Sequence, residues 1–181
     1  TLHMMLTALF LVVPLTLRDL GLASERHWLL YLPVMLASIV GMVPFIILAE
    51  KRRHMKGVLL GAVLTLVVAQ AGLYLLGHGM AGLVVSVFLF FVAFNLLEAS
   101  LPSLVAKIAS AASKGTAMGF FTSSQFFGAF VGGLLGGWVH QLIGMEGVFL
   151  FGVGVALLWF LVALGMSNPS YLSSQLLKVG P

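Results

Sequence analysis

The sequence predicts an all-α, polytopic membrane protein with six transmembrane helices. Its 181 residues are 61% hydrophobic and 8% charged. A soluble domain carries about a quarter charged residues, so lipid must be the solvent for most of this surface. Residues 27–49 and 57–97 contain no Asp, Glu, Lys or Arg, and residues 50–56 between them (the basic segment) hold one Glu, two Lys and two Arg. Two long apolar runs joined by a short basic segment are typical of two transmembrane helices and their connecting loop.

Six segments approach the length of about 20 mainly apolar residues that a bilayer span needs. They are residues 2–17, 28–48, 58–76, 82–102, 117–140 and 148–165. The charged stretch 18–27 separates the first two spans, and the basic segment separates the second from the third. A short glycine-flanked turn at 77–79 leads into the fourth span, which we expect Pro102 to end.

The remaining boundaries follow from turn residues and polarity. A looser loop, 103–116, precedes the fifth span, and Gly144 and Glu146 mark the turn before the sixth. The six-helix bundle is therefore predicted over residues 1–166, with 167–181 as a polar cytoplasmic tail or linker. The first span is short, which predicts that the chain is part of a longer one. Strands are not expected, because a few apolar strands could not close a lipid-facing barrel.

The distribution of basic residues predicts the topology. Cytoplasmic loops carry the excess of Lys and Arg, so we expect the basic segment and both chain ends on the cytoplasmic side of a bacterial inner membrane. Seven basic residues then lie inside and two outside. The inner set is Lys51, Arg52, Arg53, Lys56, Lys107, Lys114 and Lys178, and the outer set is Arg18 and Arg26. This topology accounts for the net positive charge, so no nucleic-acid partner is predicted.

The helices differ in polarity. The third and sixth spans are apolar nearly all round, and we expect them to face lipid. The first, fourth and fifth carry polar groups at depth, which favours positions facing a cavity or other helices. If the spans are grouped into two trios, one to three and four to six, the last helix of each trio is the apolar one. We therefore interpret the chain as two inverted three-helix repeats.

Small residues repeat every four positions in the fifth span. One stripe is Gly128, Gly132 and Gly136, and Ala129, Gly133 and Gly137 form a second beside it. Such stripes let another helix backbone approach closely, either as static packing or as a surface on which helices move during transport. Gln125 continues the first stripe near mid-membrane and is predicted to be an interhelical hydrogen-bonding group or a substrate contact.

Two further groups of polar residues are candidates for a functional site. Asn95 and Glu98 are predicted to share one face of the fourth helix with Phe88 and Phe91. Glu98 is the acid within a predicted span, and acids there are usually paired or functional. Placed about one turn from the cytoplasmic end, it is expected to be a paired structural carboxylate rather than a proton carrier.

The histidines of the sequence have simpler interpretations. His3 shares a face of the first helix with Thr7, and a hydrogen-bonded core histidine is favoured over a titrating group. His27, His78 and His140 are expected at the outer surface, without the spacing of a metal-ligand motif. The 181 residues include no cysteine and show no nucleophile–base pattern. We therefore expect no bound metal, no cofactor and no enzymatic activity.

The residues Leu48-Ala49-Glu50-Lys51 and the basic residues after them resemble the loop motif of the major facilitator superfamily, Gly-x-Leu-Ala-Asp-Arg-x-Gly-Arg-Arg/Lys. Glu50 takes the place of the motif's Asp, and Lys51 that of its Arg. Ile46, Arg53 and His54 depart from the motif at its two glycines and its next Arg. The motif is well formed in the first half of these transporters and degenerate in the second, so the resemblance implies the second half.

The stretches 95–102 and 114–119 are also similar to a group of bacterial inner-membrane drug/proton antiporters in this superfamily. The resemblance implies the carboxy-terminal half of a twelve-helix secondary transporter that exports small molecules by alternating access, driven by protons, with an amino-terminal six-helix half as partner. Helices one and four would line the cavity, and helices two and five would face the other half. Glu98 would latch a cytoplasmic gate by pairing with the loop that holds Glu50, Lys51 and Arg53. The alternative is a self-contained six-helix structural or assembly protein, or a self-associating channel.

Overall fold

A computed structural model describes residues 1–51 and 55–165, without the side chains of residues 49–51. Six long helices form over these residues: α1 (Leu2–Asp19), α2 (Trp28–Lys51), α3 (Met55–Leu76), α4 (Met80–Ile108), α5 (Lys114–Ile143) and α6 (Met145–Leu164). A 3₁₀ turn at Ser24–Arg26 precedes α2. All six helices are long and apolar enough to cross a membrane. The predicted all-α, six-helix class is confirmed.

The largest difference from the predicted boundaries is in α4. Pro102 was expected to end this helix, but α4 continues through it for more than a turn to Ile108. A proline within a membrane helix removes one backbone hydrogen bond, and the helix tolerates this where neighbouring groups satisfy the freed carbonyl. Pro14, Pro33 and Pro44 likewise lie inside α1 and α2. The chain leaves the helix only at Ala109, where the backbone becomes extended.

The helix contacts repeat between the two trios. α1 packs against α5 and α6, and α4 packs in the same way against α2 and α3. The first helix of each trio therefore packs on the last two helices of the other trio. This is expected for a bundle built from two three-helix repeats. A further seam joins α3 to α6. The core lies along these contacts, with Leu9, Val12, Leu66, Phe90 and Leu97 almost completely buried.

The burial of α3 differs from its prediction as a lipid-facing helix. One stripe of α3, including Leu66, Ala69 and Leu73, is buried against α4 and α6. Gln70 is buried in this seam, where its amide packs against the backbone of Gly152 in α6. An apolar composition all round does not distinguish lipid from protein as the neighbour. In the described chain, the least buried helices are α2 and α5.

The α3–α4 and α5–α6 turns meet at one end of the bundle. His78 Nε2 lies 3.9 Å from Glu146 Oε1, and both side chains are mostly exposed. The turn between α5 and α6 consists of one residue, Gly144, with a φ angle of +85°. This left-handed conformation favours glycine, because a Cβ would clash with the backbone.

Candidate functional site

The carboxylate of Glu98 is held by a side chain from a neighbouring helix. Gln125 Nε2 of α5 donates to Glu98 Oε1 at 2.8 Å and to Oε2 at 3.1 Å. Both residues lie within about five positions of the midpoints of their helices, or about 8 Å along the axis. The two polar groups therefore meet in the central part of a bundle that is otherwise strongly apolar.

This depth corrects one expectation from the sequence. The sequence predicts Glu98 one turn from the end of its helix, because it predicts that the span ends at Pro102. That placement is wrong, since α4 continues to Ile108, about ten residues beyond Glu98. At 1.5 Å per residue the carboxylate lies about 15 Å along the helix axis from that end.

A titratable group from a third helix completes the cluster. His3 Nδ1 of α1 lies 3.9 Å from Glu98 Oε2, and the imidazole ring is tilted against Phe94 at 5.8 Å between ring centres. At this distance the two groups form an ion pair only when His3 is protonated. The His3 and Glu98 side chains are 22% and 37% exposed, so neither is sealed from its surroundings. We refer to His3, Glu98 and Gln125 as the polar cluster.

Aromatic side chains extend from the polar cluster along α1, α2 and α4. The ring of Phe94 contacts those of Phe90 and Phe91, and Phe91 lies 6.0 Å from Phe10 of α1. Phe10 in turn lies 5.7 Å from Tyr31 of α2. The Tyr31 hydroxyl is buried, and among the described residues it has no hydrogen-bond partner. Sequence reasoning missed Tyr31, although it is the one tyrosine of the second predicted span.

Asn95 points to a different neighbour from Glu98. Its Nδ2 donates to Ser38 Oγ of α2 at 2.9 Å, and Ser38 Oγ donates to the Met35 carbonyl at 2.7 Å. The predicted shared face of α4 is therefore divided: Asn95 joins α4 to α2, and Glu98 joins it to α5 and α1. Ser38 is completely buried and was not singled out from the sequence. The sequence could have indicated Ser38, because it is the one Ser or Thr in the predicted span 28–48.

We expect the Asn95–Ser38 hydrogen bond to contribute to the stability of the bundle and not directly to its function. In a double-mutant cycle of Asn95→Ala and Ser38→Ala, the interaction energy should be about 0.6 kcal/mol and below about 1.7 kcal/mol, as for other hydrogen bonds between membrane helices. Unfolding of the purified full-length protein in mixed micelles measures it. Loss of function in Asn95→Ala at unchanged stability would instead place Asn95 in the functional site.

The first glycine stripe lies against α1. A Cβ on Gly132 would overlap the carbonyl oxygen of Met4 and approach its Cα to 2.7 Å. A Cβ on Gly136 would lie 3.3 Å from Ala8 Cβ, and one on Gly128 would lie 3.7 Å from Met4 N. Gly132 is thus the point of closest approach between the α1 and α5 backbones, where a side chain of any size is excluded.

The second stripe is more open. A Cβ on Gly133 would lie in ordinary contact, 3.5 Å from Thr7 Cγ2, and one on Gly137 would meet no described atom within 4 Å. The Thr7 hydroxyl donates to the His3 carbonyl at 2.9 Å. Thr7 therefore uses its hydroxyl within α1 and presents its methyl group to α5, so it supports the backbone at His3 instead of offering a polar group to a cavity.

The other histidines lie apart from the polar cluster. His27 Nε2 lies 3.1 Å from the Leu22 carbonyl, and His78 faces Glu146. Nδ1 of His140 is buried and, among the described residues, has no hydrogen-bond partner. Over residues 1–51 and 55–165, the His, Asp and Glu side chains form no group of three that could hold a metal ion.

Comparison with known proteins identifies the architecture. Residues 1–176 match the Major Facilitator Superfamily. The chain belongs to the major facilitator superfamily. Six helices arranged as two trios, with α1 and α4 in equivalent positions, agree with the inverted repeats found within each half of these transporters.

Relatives within the superfamily are longer than this chain. It is 45% identical to the inner membrane transport protein YajR of Escherichia coli over 178 residues, which are 98% of this chain and 39% of that protein. It is 29% identical over 164 residues to an uncharacterized transporter of Buchnera aphidicola subsp. Baizongia pistaciae, covering 90% of this chain and 42% of the relative. The chain thus spans about two fifths of the length of these curated relatives.

The gate residues expected from the superfamily's loop motif are not part of the described structure. Arg53 and the side chains of Glu50 and Lys51 lie outside the described residues, as does the tail 167–181. Their pairing with Glu98 stays a prediction. The described partners of Glu98 are Gln125 and His3.

Proposed function

We propose that the chain forms one half of a secondary transporter that exports small molecules across a bacterial inner membrane by alternating access, driven by protons. The observation that carries the proposal is the polar cluster. A carboxylate near the middle of an apolar bundle is costly and typically serves an ion or proton pathway. Here it is contacted from two other helices, α1 and α5, by side chains that accommodate both protonation states.

Among the described residues, the hydrogen-bonding partner of Glu98 is neutral, which supports a proton-exchanging role. An Arg or Lys partner would favour the charged carboxylate strongly, because opposite charges attract strongly in a medium of low dielectric constant. The Gln125 amide carries no charge. Its NH₂ group donates to the carboxylate, and after rotation its carbonyl accepts from a protonated carboxyl group. Gln125 can therefore hold Glu98 in place in either state without fixing the proton.

His3 supplies a second proton-accepting group next to Glu98. At 3.9 Å the two side chains are too far apart for a direct hydrogen bond but close enough for one after a small helix displacement. Because they lie on α1 and α4, a relative movement of these two helices changes their separation. Such a movement would link the position of the proton to the conformation, which is what proton-coupled alternating access requires.

The exposed apolar faces of α2 and α5 support a role for a second six-helix half. α5 exposes Phe126, Phe127 and Phe130, and α2 exposes Leu36 and Val40. In a two-half transporter these two helices would pack against the amino-terminal half around the transport cavity. The greater length of the curated relatives is consistent with such a half.

Proton coupling can be tested in inverted membrane vesicles that contain the full-length protein. Respiration acidifies the vesicle lumen and quenches a pH-sensitive dye. Addition of an exported compound should release lumenal protons and restore fluorescence. Lipophilic cations such as ethidium are suitable probes, because an acid beside aromatic rings attracts them. Vesicles without the protein provide the control. Protein-dependent accumulation of the compound against its own gradient that persists after the proton gradient is collapsed would overturn the proposal.

The proposed orientation places the basic segment in the cytoplasm. We expect a cysteine in place of His78 to react with an impermeant thiol reagent in intact cells and one in place of Lys56 to react only after permeabilisation. Glu146→Cys provides a second test of the outer end, because Glu146 lies beside His78. Labelling of Lys56→Cys but not of His78→Cys in intact cells would reverse the assignment.

A further inference from the structure

An apolar groove runs between α2 and α3, with α4 as its floor. Its volume is about 680 Å³, and the residues that line it include Gly41, Phe45, Gly57, Gly61, Val92 and Leu96. α2 and α3 touch each other little, although both pack closely on α4. The groove is therefore open along its length between the two helices.

Two glycines of α3 keep the groove open. Gly57 and Gly61 are exposed, one turn apart, and a Cβ on either would meet no described atom within 4 Å. By contrast, a Cβ on Gly41 of α2 would meet Val92 at 3.0 Å on the floor of the groove. Gly41 thus lets α2 approach α4, whereas Gly57 and Gly61 border empty space. In a membrane protein small residues of this kind usually admit another helix, but in the described chain this space is unfilled.

The chemistry of the lining favours a hydrocarbon occupant. Thr65 contributes the one side-chain hydroxyl of the lining, and it donates to the Gly61 carbonyl at 2.8 Å. The remaining lining side chains are apolar. A polar small molecule would lose its hydrogen bonds to water here without replacing them, whereas an alkyl chain loses none.

The length and position of the groove match one leaflet of a bilayer. Along α3 it extends from Gly57, in the first turn, to Thr65, near the middle of the helix. Eight residues of helix correspond to about 12 Å, compared with about 15 Å for half of the hydrocarbon core. The end of the groove at Gly57 is one residue from Lys56, which lies in the first turn of α3, is partly exposed and is not itself part of the lining. A positive charge at this level attracts anionic lipid headgroups.

We propose that this groove is a binding site for an anionic phospholipid, with one acyl chain between α2 and α3 and the headgroup phosphate at Lys56. The site belongs to the leaflet on the side of the basic segment. The acyl chain fills the space beside Gly57 and Gly61 and supports α2, which contacts α3 little. Lipid binding requires membrane insertion but neither a substrate nor a proton gradient. The lipid-site proposal can therefore be tested independently of the transport mechanism.

Photo-crosslinking in the full-length protein tests the site. The probe is phosphatidylglycerol with a diazirine in its acyl chain, in vesicles of unlabelled lipid, and phosphatidylcholine with the same chain is the comparison. We expect peptides that cover 41–48 and 57–65 to be labelled several-fold more than the lipid-exposed α6 peptide 154–161. Labelling by phosphatidylglycerol should exceed labelling by phosphatidylcholine.

Matched variants distinguish the groove from ordinary surrounding lipid. Gly61→Leu should fill the groove and lower labelling of both peptides several-fold. Gly154→Leu is the control, because Gly154 is also an exposed helical glycine whose Cβ would meet no described atom within 4 Å. Lys56→Gln should remove the preference for phosphatidylglycerol, and Lys114→Gln should not.

Several outcomes would overturn the proposal. Equal labelling of the α6 peptide in the wild-type protein, or no effect of Gly61→Leu, would show only non-specific surrounding lipid. Crosslinks from a photoreactive residue in place of Gly61 to another part of the protein, in place of lipid, would show that protein covers the groove. The wild-type labelling map requires no substitution, so a variant that fails to fold does not prevent the test.

Discussion

Glu98→Gln in the full-length protein is expected to abolish proton-driven transport while leaving substrate exchange intact. The substituted amide has nearly the same size as the carboxyl group and can still hydrogen bond to Gln125, so the link between α4 and α5 is preserved. It cannot take up or release a proton. If Glu98 exchanges the coupling proton, movement of substrate down its own gradient continues, and accumulation driven by a pH gradient falls to background.

Proton-driven uptake and substrate exchange should be measured in the same vesicles. Asn95→Ala is a suitable control, because Asn95 lies one turn away on α4 and hydrogen bonds to Ser38 of α2. The contrary result would be that Glu98→Gln retains proton coupling but changes the side of the membrane from which the transport cavity is accessible. It would support the gate latch that the sequence predicted for Glu98, in which removal of a pairing interaction shifts the ratio of the two conformations.

Gly132→Leu is expected to have the largest effect on assembly. Even a Cβ at this position would overlap the Met4 carbonyl oxygen, so α1 and α5 would have to separate. Overpacking in a core typically costs 1–3 kcal/mol, and here the obstacle is backbone that cannot rotate away. We therefore expect a loss of about 3 kcal/mol or more, which is roughly a hundredfold in the folding equilibrium. Separation of α1 from α5 would also displace His3 from Glu98 and Gln125.

A graded series along the same helix makes this prediction specific. Gly128→Ala should be tolerated, because its Cβ would meet described atoms only at 3.7 Å or beyond, and Gly136→Ala should cost more at 3.3 Å. Gly154→Leu on α6 controls for adding a leucine to a membrane helix. Thermal unfolding and gel filtration of the full-length protein measure the order. If Gly132→Leu were as stable as Gly154→Leu, the close contact of α1 with α5 would not exist in the membrane.

Composition and periodicity were sufficient to predict the architecture. Apolar runs of about 20 residues fix the number of membrane helices, because an unpaired backbone in lipid is too costly for other structures. The four-residue spacing of glycines in α5 also indicated a close approach by another helix, since that spacing places the residues on one face, and α1 is the helix that approaches there. The apolar runs and the glycine spacing are both local patterns in the sequence, and helices in lipid show few exceptions to either.

The contacts of individual polar side chains were harder to predict. Asn95 and Glu98 are three positions apart and were predicted to share a face, yet the roughly 60° between them on the helix is enough to direct one to α2 and the other to α5. The partner of Asn95, Ser38, lies 57 residues away in sequence, and helix packing alone brings the two together. The end of α4 was also missed, because proline is a weaker helix terminator in a membrane than in water.

The apolar character of α3 had two possible meanings that the sequence could not separate. A helix without a polar face can be surrounded by lipid or buried among other helices. The distinguishing residue was Gln70, whose amide is buried against Gly152. A glutamine within an apolar span marks a protein-facing side, because lipid offers it no hydrogen-bond partner.

The single-residue connection at Gly144 also constrains how the bundle can deform. Gly144 joins Ile143 to Met145 through two Cα–Cα steps of about 3.8 Å each, so the ends of α5 and α6 that meet there stay within about 8 Å of each other. Gly144 therefore acts as a short hinge, and tilting of α5 pulls on α6 at once. α6 also packs on α3, where Gln70 contacts Gly152. A displacement that begins at the α1–α5 contact thus has a mechanical route, through covalent bonds and then packed side chains, to the far side of the bundle.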